Sequence, residues 1–398
     1  MMTLRHLVLG PWRAVLVLGL TQILAWGALF YPPVLTMPLI AADRGWSASF
    51  AMGGFSLALL VAGLVSPCVG RLIDRHGGHR VMPFGSLLAA VGLVALVQAH
   101  HPVAYLSVWM LLGVAIATSL YDPAFATLGR IFGVKARAPI TALTLAGGFA
   151  STVSWPLTYV LIEAVGWRGT YLLYAALLGL VAAPLHAFVL PRRRADLQPD
   201  PAAAAAPARA VYAPHGWSFV LVAAAFAAYA FVPSGLSAHL LAIFGRSGIE
   251  PATVVAIGAL FGPAQVAARI GEFTFARHVH PLFIARFAVG LLLAAFALVA
   301  VLGLSLATAA AFALMFGLAN GLITVARGTV PLALFGATGY GALVGRIGGP
   351  FLVMQAIAPL VLAFVAERAS DAAVLAIVAA LALLAFGCFV LLRRPRPD

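Results

Sequence analysis

Three ionisable side chains lie inside long apolar stretches of this 398-residue chain, and they set the chemistry open to it. Asp122 stands in Ser119-Leu-Tyr121-Asp122-Pro123, Arg327 in Thr324-Val-Ala-Arg327-Gly328, and Arg346 about two turns into a later apolar run. A charge at the centre of a bilayer costs about 2.5–3.5 kcal/mol or more, so such residues are candidates for substrate or proton handling. A carboxylate can take up and release a proton, its pKa raised by burial and lowered by a guanidinium beside it. A guanidinium can hold an anion. The same residues also fit a plainer role, as a static ion pair between helices or, for Arg346 above all, as an arginine snorkelling to the interface. The excess of Arg327 and Arg346 over Asp122 favours an anionic ligand over a cation.

The elements that carry these residues are membrane spans. The chain is 63% hydrophobic and 9% charged, where a soluble domain is about one-quarter charged. Apolar runs long enough to cross a roughly 30 Å hydrocarbon core recur along it. They predict twelve α-helices near 14–41, 48–70, 81–99, 103–129, 139–163, 168–190, 216–243, 251–269, 282–304, 306–334, 341–366 and 371–392. The runs are too long and unbroken for barrel strands. The first is longer than a signal-peptide core and lacks a small-residue cleavage site, so it is expected to be retained.

Basic residues crowd one edge of this arrangement, at Arg71, Arg75, Arg80, Arg130, Lys135, Arg137, Arg192, Arg277, Arg286 and Arg393 among others. Arg44, Arg168, Arg246 and Arg368 fall on the other edge. The positive-inside rule then places both termini in the cytoplasm of a bacterial inner-membrane protein. Bases scattered over loops, without interleaved aromatics, argue against nucleic acid as a partner. Cys68 and Cys388 both lie in predicted spans, and the histidines lack ligand spacing, so neither a disulfide framework nor a metal site is expected. One deep carboxylate without a His/Asp cluster does not meet the requirements of an enzyme site, and no catalytic residue or cofactor is assigned.

A Pro/Ala-rich linker near 191–215, opened by Arg192-Arg193-Arg194, divides the spans into bundles at 1–190 and 216–398. The halves echo each other at an offset of about 200 residues. Gly147-Gly148 and Pro156 recur as Gly348-Gly349 and Pro359, Trp26 corresponds to Tyr229, and Gly113 to Gly317. That last match sets Asp122 close to the position of Arg327.

Between the second and third spans runs Gly70-Arg-Leu-Ile-Asp74-Arg75-His-Gly77-Gly78-His-Arg80, which reads as a short, water-facing loop with a glycine turn. It resembles the loop between the second and third helices of major facilitator superfamily transporters. Gly70, Asp74, Arg75, Gly77 and Arg80 fit that family's pattern; Gly78 and His79 depart from its usual bases. The resemblance implies a gating role for these residues; the structural alternative sets Asp74 near the positive end of a neighbouring helix. It also implies two parallel six-helix repeats with a substrate site between them, lined by the first, fourth, seventh and tenth helices. On those helices the polar candidates are Gln22, Trp26 and Tyr31, then Tyr229, Ser234, Ser237 and His239. Interhelical hydrogen bonding and an aromatic belt are the structural alternatives for them. Asp122 and Arg327 would face each other, either as a cytoplasmic gate or as a titrating acid beside an anion-binding base.

A narrower resemblance is to bacterial relatives of the monocarboxylate transporters. It runs from Pro123 through Gly129-Arg130-Ile-Phe132, Lys135-Ala-Arg137 and Ala146-Gly147-Gly148 to Pro156-Leu157, with Arg44-Gly45-Trp46-Ser47 and Gly166-Trp167-Arg168 beside it. That family carries an Asp four residues before an Arg in its eighth helix; here the pattern is Gln265-Val-Ala-Ala-Arg269, with the base but not the acid. The expected function is a monomeric secondary transporter of a small organic anion working by alternating access, with a coupling proton as a further partner. The alternatives are an efflux carrier for drugs, sugars or other hydrophobic solutes, and a sensor that binds without flux.

Overall fold

The computed structural model describes residues 10–192, 216–246 and 249–392. Every regular element among them is helical. Hydrocarbon offers the backbone no other hydrogen-bond partner, and apolar runs of this length satisfy it as helices. Ten stretches are long and apolar enough to cross a membrane. One of them, Arg137–Val189, holds two spans, because Gly166 at φ 71° reverses the chain between the predicted fifth and sixth. Pro251–Ala259 and Phe261–Thr274 together form the eighth. The molecule is a multi-pass membrane protein with the twelve spans read from the sequence.

Several predicted elements differ in detail. The segment expected as a loop from Gly70 to Arg80 is almost entirely helical: Ala48–His76 runs to its end, Gly78–Gln98 starts at once, and Gly77 at φ 83° is the sole joint. Only a residue tolerant of positive φ can make so abrupt a joint. The first span is divided into Arg13–Leu29 and Pro33–Arg44 around Pro32-Pro33. The fourth is divided into Pro102–Ser119 and Tyr121–Phe132, with Leu120 extended between them. Most of the linker, residues 193–215, lies outside the described residues.

The chain clusters into two compact units, Met1–Ala210 with Phe335–Gly349, and Val211–Leu334 with Pro350–Asp398. Their boundary falls inside the helix Tyr340–Arg368, whose first turns group with the N-terminal helices. Corresponding glycines make corresponding close approaches. A methyl on Gly113 would stand 2.5 Å from the Ala58 carbonyl oxygen, bringing the fourth span onto the second; one on Gly317 would stand 2.7 Å from that of Phe261, bringing the tenth onto the eighth. Small residues at such crossings let backbones approach where there is no hydrophobic drive between helices.

Each unit also carries an ionic clasp between its first and last spans. In the first unit Arg168 donates through Nη1 and Nη2 to the two carboxylate oxygens of Asp43, at 3.0 and 2.5 Å. In the second, Arg246 donates through Nε and Nη2 to Asp371, at 2.9 and 2.6 Å. The partners are 125 residues apart in both pairs, and the charges are exchanged: acid then base in one, base then acid in the other. Beside the first clasp the two tryptophan motifs meet. The Arg44 guanidinium lies 5.3 Å from the Trp46 ring, 5.2 Å from Trp167 and 5.7 Å from Tyr105, and it donates to the carbonyls of Leu96 and Val97. A cation at the carbonyl end of Gly78–Gln98 complements that helix's dipole while the rings shield it from water.

Asp43→Arg is expected to cost about 0.2–1 kcal/mol, the usual worth of an exposed pair. The double exchange Asp43→Arg with Arg168→Asp should recover most of it. Thermal melts in detergent of the wild type, single and double variants read the difference.

Candidate functional site

In the first unit the site is organised by Pro123. A proline has no backbone N–H, so the carbonyl four residues earlier, that of Ser119, loses its helical donor. Gln22 supplies the replacement from the first span, its Nε2 donating to Ser119 O at 2.7 Å and to Leu120 O at 3.2 Å. The Gln22 Oε1 accepts from Trp26 Nε1 at 3.0 Å, so this fully buried amide is committed on both sides. Trp26 packs on Tyr121, 5.0 Å between ring centres, and Tyr31 lies 6.3 Å from Trp155. Because the helix restarts at Tyr121, Asp122 falls in its first turn, where the helix dipole favours negative charge.

Asp122 is 7% exposed and lines a narrow crevice with Ser66, Gly70, Ala117, Gly341 and Gly345. Small residues make the crevice possible. A methyl on Gly348 would overlap the Asp122 carboxylate, one on Gly345 the Ser66 carbonyl, and one on Gly70 the Gly341 carbonyl. One turn beyond Gly70, Asp74 accepts from the backbone N–H groups of Gly341 and Ala342 at 2.9 and 2.7 Å. It thereby caps the N-terminus of Tyr340–Arg368, and its backbone carbonyl accepts from Arg130. Gly77 supplies the joint described above, and Arg75 and Arg80 flank it. Arg346 is half-buried in the segment that groups with this unit.

The second unit holds a chain of polar side chains across its seventh, eighth and tenth spans. Tyr229 donates through its hydroxyl to Asn320 Oδ1 at 3.1 Å, Asn320 Nδ2 donates to Gln265 Oε1 at 2.9 Å, and Arg269 Nη2 donates to the same oxygen at 3.3 Å. Tyr229 and Arg269 are buried, as is Glu272 three residues beyond Arg269. Arg327 is half-buried with its guanidinium 4.0 Å from the centre of the Phe351 ring, a cation–π contact. Ser234 donates to the Gln355 carbonyl at 2.7 Å. His239 lies further along the same helix, and the Ser237 side chain is outside the described residues.

Two participants were missed in the sequence. Asn320 is the chain's one asparagine, set inside Gly317-Leu-Ala-Asn320-Gly321, and a lone amide within a small-xxx-small crossing is the signal that could have found it. His186 is buried in a stretch of π-helix, with Nδ1 3.1 Å from Ser86 Oγ and Nε2 2.8 Å from Thr21 Oγ1. π-Bulges concentrate at functional sites, but nothing in local composition announces one.

Residues 15–326 match the family model described as Major Facilitator Superfamily. A 150-residue stretch is 32% identical to Probable anion transporter 3, chloroplastic, of Arabidopsis thaliana, covering 36% of this chain and 28% of that protein. Monocarboxylate transporter 3 of Rattus norvegicus is 31% identical over 175 residues, 42% of this chain and 35% of the relative. Monocarboxylate transporter 4 of Rattus norvegicus is 24% identical over 338 residues, 80% of this chain and 67% of the relative. The chain thus spans about a third of the length of the first two. The crystal structure of the human organic anion transporter MFSD10 (TETRAN) superposes with a TM-score of 0.72, covering 98% of this chain and 100% of that one at 19% identity, a likeness of fold.

Gln22→Leu strands the Ser119 carbonyl in a dry site and should cost about 1–3 kcal/mol, read as a fall in Tm. Gly70→Ala should cost a similar amount, about 1–3 kcal/mol, by overpacking. Gly53→Ala, on the same helix but with open space at its Cβ, is the neutral control.

Proposed function

Because the chain belongs to the major facilitator superfamily and is a transporter of that family, we propose that it is a secondary active carrier. Its substrate in this reading is a small organic anion, such as a monocarboxylate, moved across the bacterial inner membrane by alternating access. The observation that carries the anion assignment is Arg269, a buried guanidinium hydrogen-bonded to Gln265 at the position where the monocarboxylate family keeps its acid–base pair. A charge so placed is costly in a membrane and is retained for a ligand or a partner. The names of the relatives, anion and monocarboxylate transporters, support the same substrate class.

The bundles 1–190 and 216–398 are the two bodies that would rock against each other, with both termini on the basic, cytoplasmic edge. Asp122 is the candidate coupling carboxylate, because it is a buried acid inside the fourth span, in the first turn of a helix. Arg327, stacked on Phe351, is the second candidate anion contact; a gate made by Asp122 and Arg327 is the competing assignment for the pair. A monomer suffices for this cycle.

Proteoliposome transport separates these roles. Counterflow of a labelled monocarboxylate should be lost in Arg269→Ala, and Asp122→Asn should abolish acceleration by an inward proton gradient while leaving counterflow intact. Saturable flux of sugars or lipophilic cations, with no carboxylate flux in the wild type, would overturn the anion assignment.

A further inference from the structure

The direction of every hydrogen bond in the Tyr229–Asn320–Gln265–Arg269 chain is fixed by one residue. A guanidinium has five N–H donors and no acceptor, so the Gln265 atom facing Arg269 must be the amide oxygen. The Asn320 atom facing that oxygen must then be nitrogen, which leaves the Asn320 oxygen to accept from the Tyr229 hydroxyl. Neither amide can be flipped without setting donor against donor or carbonyl against carbonyl. The oxygen of Gln265 is consumed by two donors, while its Nε2 has no hydrogen-bond partner among the described residues. Gln265 is half-buried, so this unspent N–H pair is partly accessible where Arg269, one turn away, is not.

We propose that Asn320 is a positioning residue that turns the Gln265 amide outward as a donor, and that this amide takes one oxygen of the carboxylate substrate. The inference rests on the anion-carrier reading above and deepens it. The geometry explains why the tenth span approaches so closely here. A methyl on Gly321 would overlap the Gln265 backbone carbonyl, and only such an approach lets the short Asn320 side chain reach the eighth span. A cluster that shows its ligand N–H groups alone selects for acceptors, and a neutral amide does so at every physiological pH. An acid at this position would have to be protonated before it could donate. Of the groups bonded into this chain, Arg269 on the same helix and Tyr229 on the seventh are ionisable; the tenth contributes Asn320, which does not titrate.

The test is binding of L-lactate, with uncharged lactamide as comparison, to the purified full-length protein in nanodiscs, for wild type, Asn320→Asp, Gln265→Glu and Arg269→Ala. Asn320→Asp keeps the shape but removes the donor, so the Gln265 amide turns inward and lactate affinity should fall tenfold or more in the folded variant. Gln265→Glu replaces the donor by an anionic acceptor, so lactate should be lost tenfold or more while lactamide, whose amide can donate to it, is bound at least as well as by the wild type, a reversal that a merely structural Gln265 would not produce. If the wild type and Asn320→Asp bind lactate equally while Arg269→Ala does not, the positioning role is overturned and the anion reading stands. If the folded wild type prefers lactamide to lactate, or binds neither, both fall.

Discussion

A backbone polar group inside a bilayer has no water to turn to, and the architecture of this protein follows from that constraint. At several helix ends and breaks, a side chain from elsewhere takes over the orphaned groups. Gln22 serves the Ser119 carbonyl freed by Pro123. Arg44 serves the last carbonyls of Gly78–Gln98, Arg286 serves those of Phe389, Val390 and Leu392, and Asp74 serves the first N–H groups of Tyr340–Arg368. The signs are consistent: cations meet carbonyl ends and the anion meets the N–H end, as the helix dipole favours. Several of the chain's few charges are thus committed to its own helix ends.

The two units handle polarity in different ways. The first concentrates it at helix termini, where Asp122 and Asp74 both face the N–H ends of helices and sit among glycines. The second threads it through helix flanks, as a directed chain of amides ended by a guanidinium. A carboxylate at a helix terminus meets the partial positive charge of backbone N–H groups. A chain of amides is fixed and proton-independent.

Hydropathy made the twelve spans legible, because length and composition alone decide whether a run can cross the bilayer. It was blind to the breaks inside them, since Leu120 and Leu260 look like any other apolar residue and the decision is made by prolines and by partners on distant helices. The Gly70–Arg80 segment misled for a related reason: its charges suggested a water-filled loop, yet they lie on helical turns that continue past the apolar run. Asp74, Arg269 and Asp122 were visible as costly or patterned residues. Asn320 was not, although its type is equally costly in lipid, because attention to charge passes over a neutral amide. The clasp residues were read as markers of topology; only their three-dimensional pairing revealed them as partners.

The exchange of charges between the two clasps bears on how the chain assembles. The halves are similar enough that, during insertion, the end of the first span could dock against the start of the twelfth in place of the sixth. That error would press Asp43 against Asp371 and, in the reciprocal mistake, Arg246 against Arg168. Like charges repel in both wrong pairings and attract in both right ones. A repeated architecture otherwise prone to shuffling its own parts therefore carries, in four side chains, a polarity key that tells each half which helices are its own.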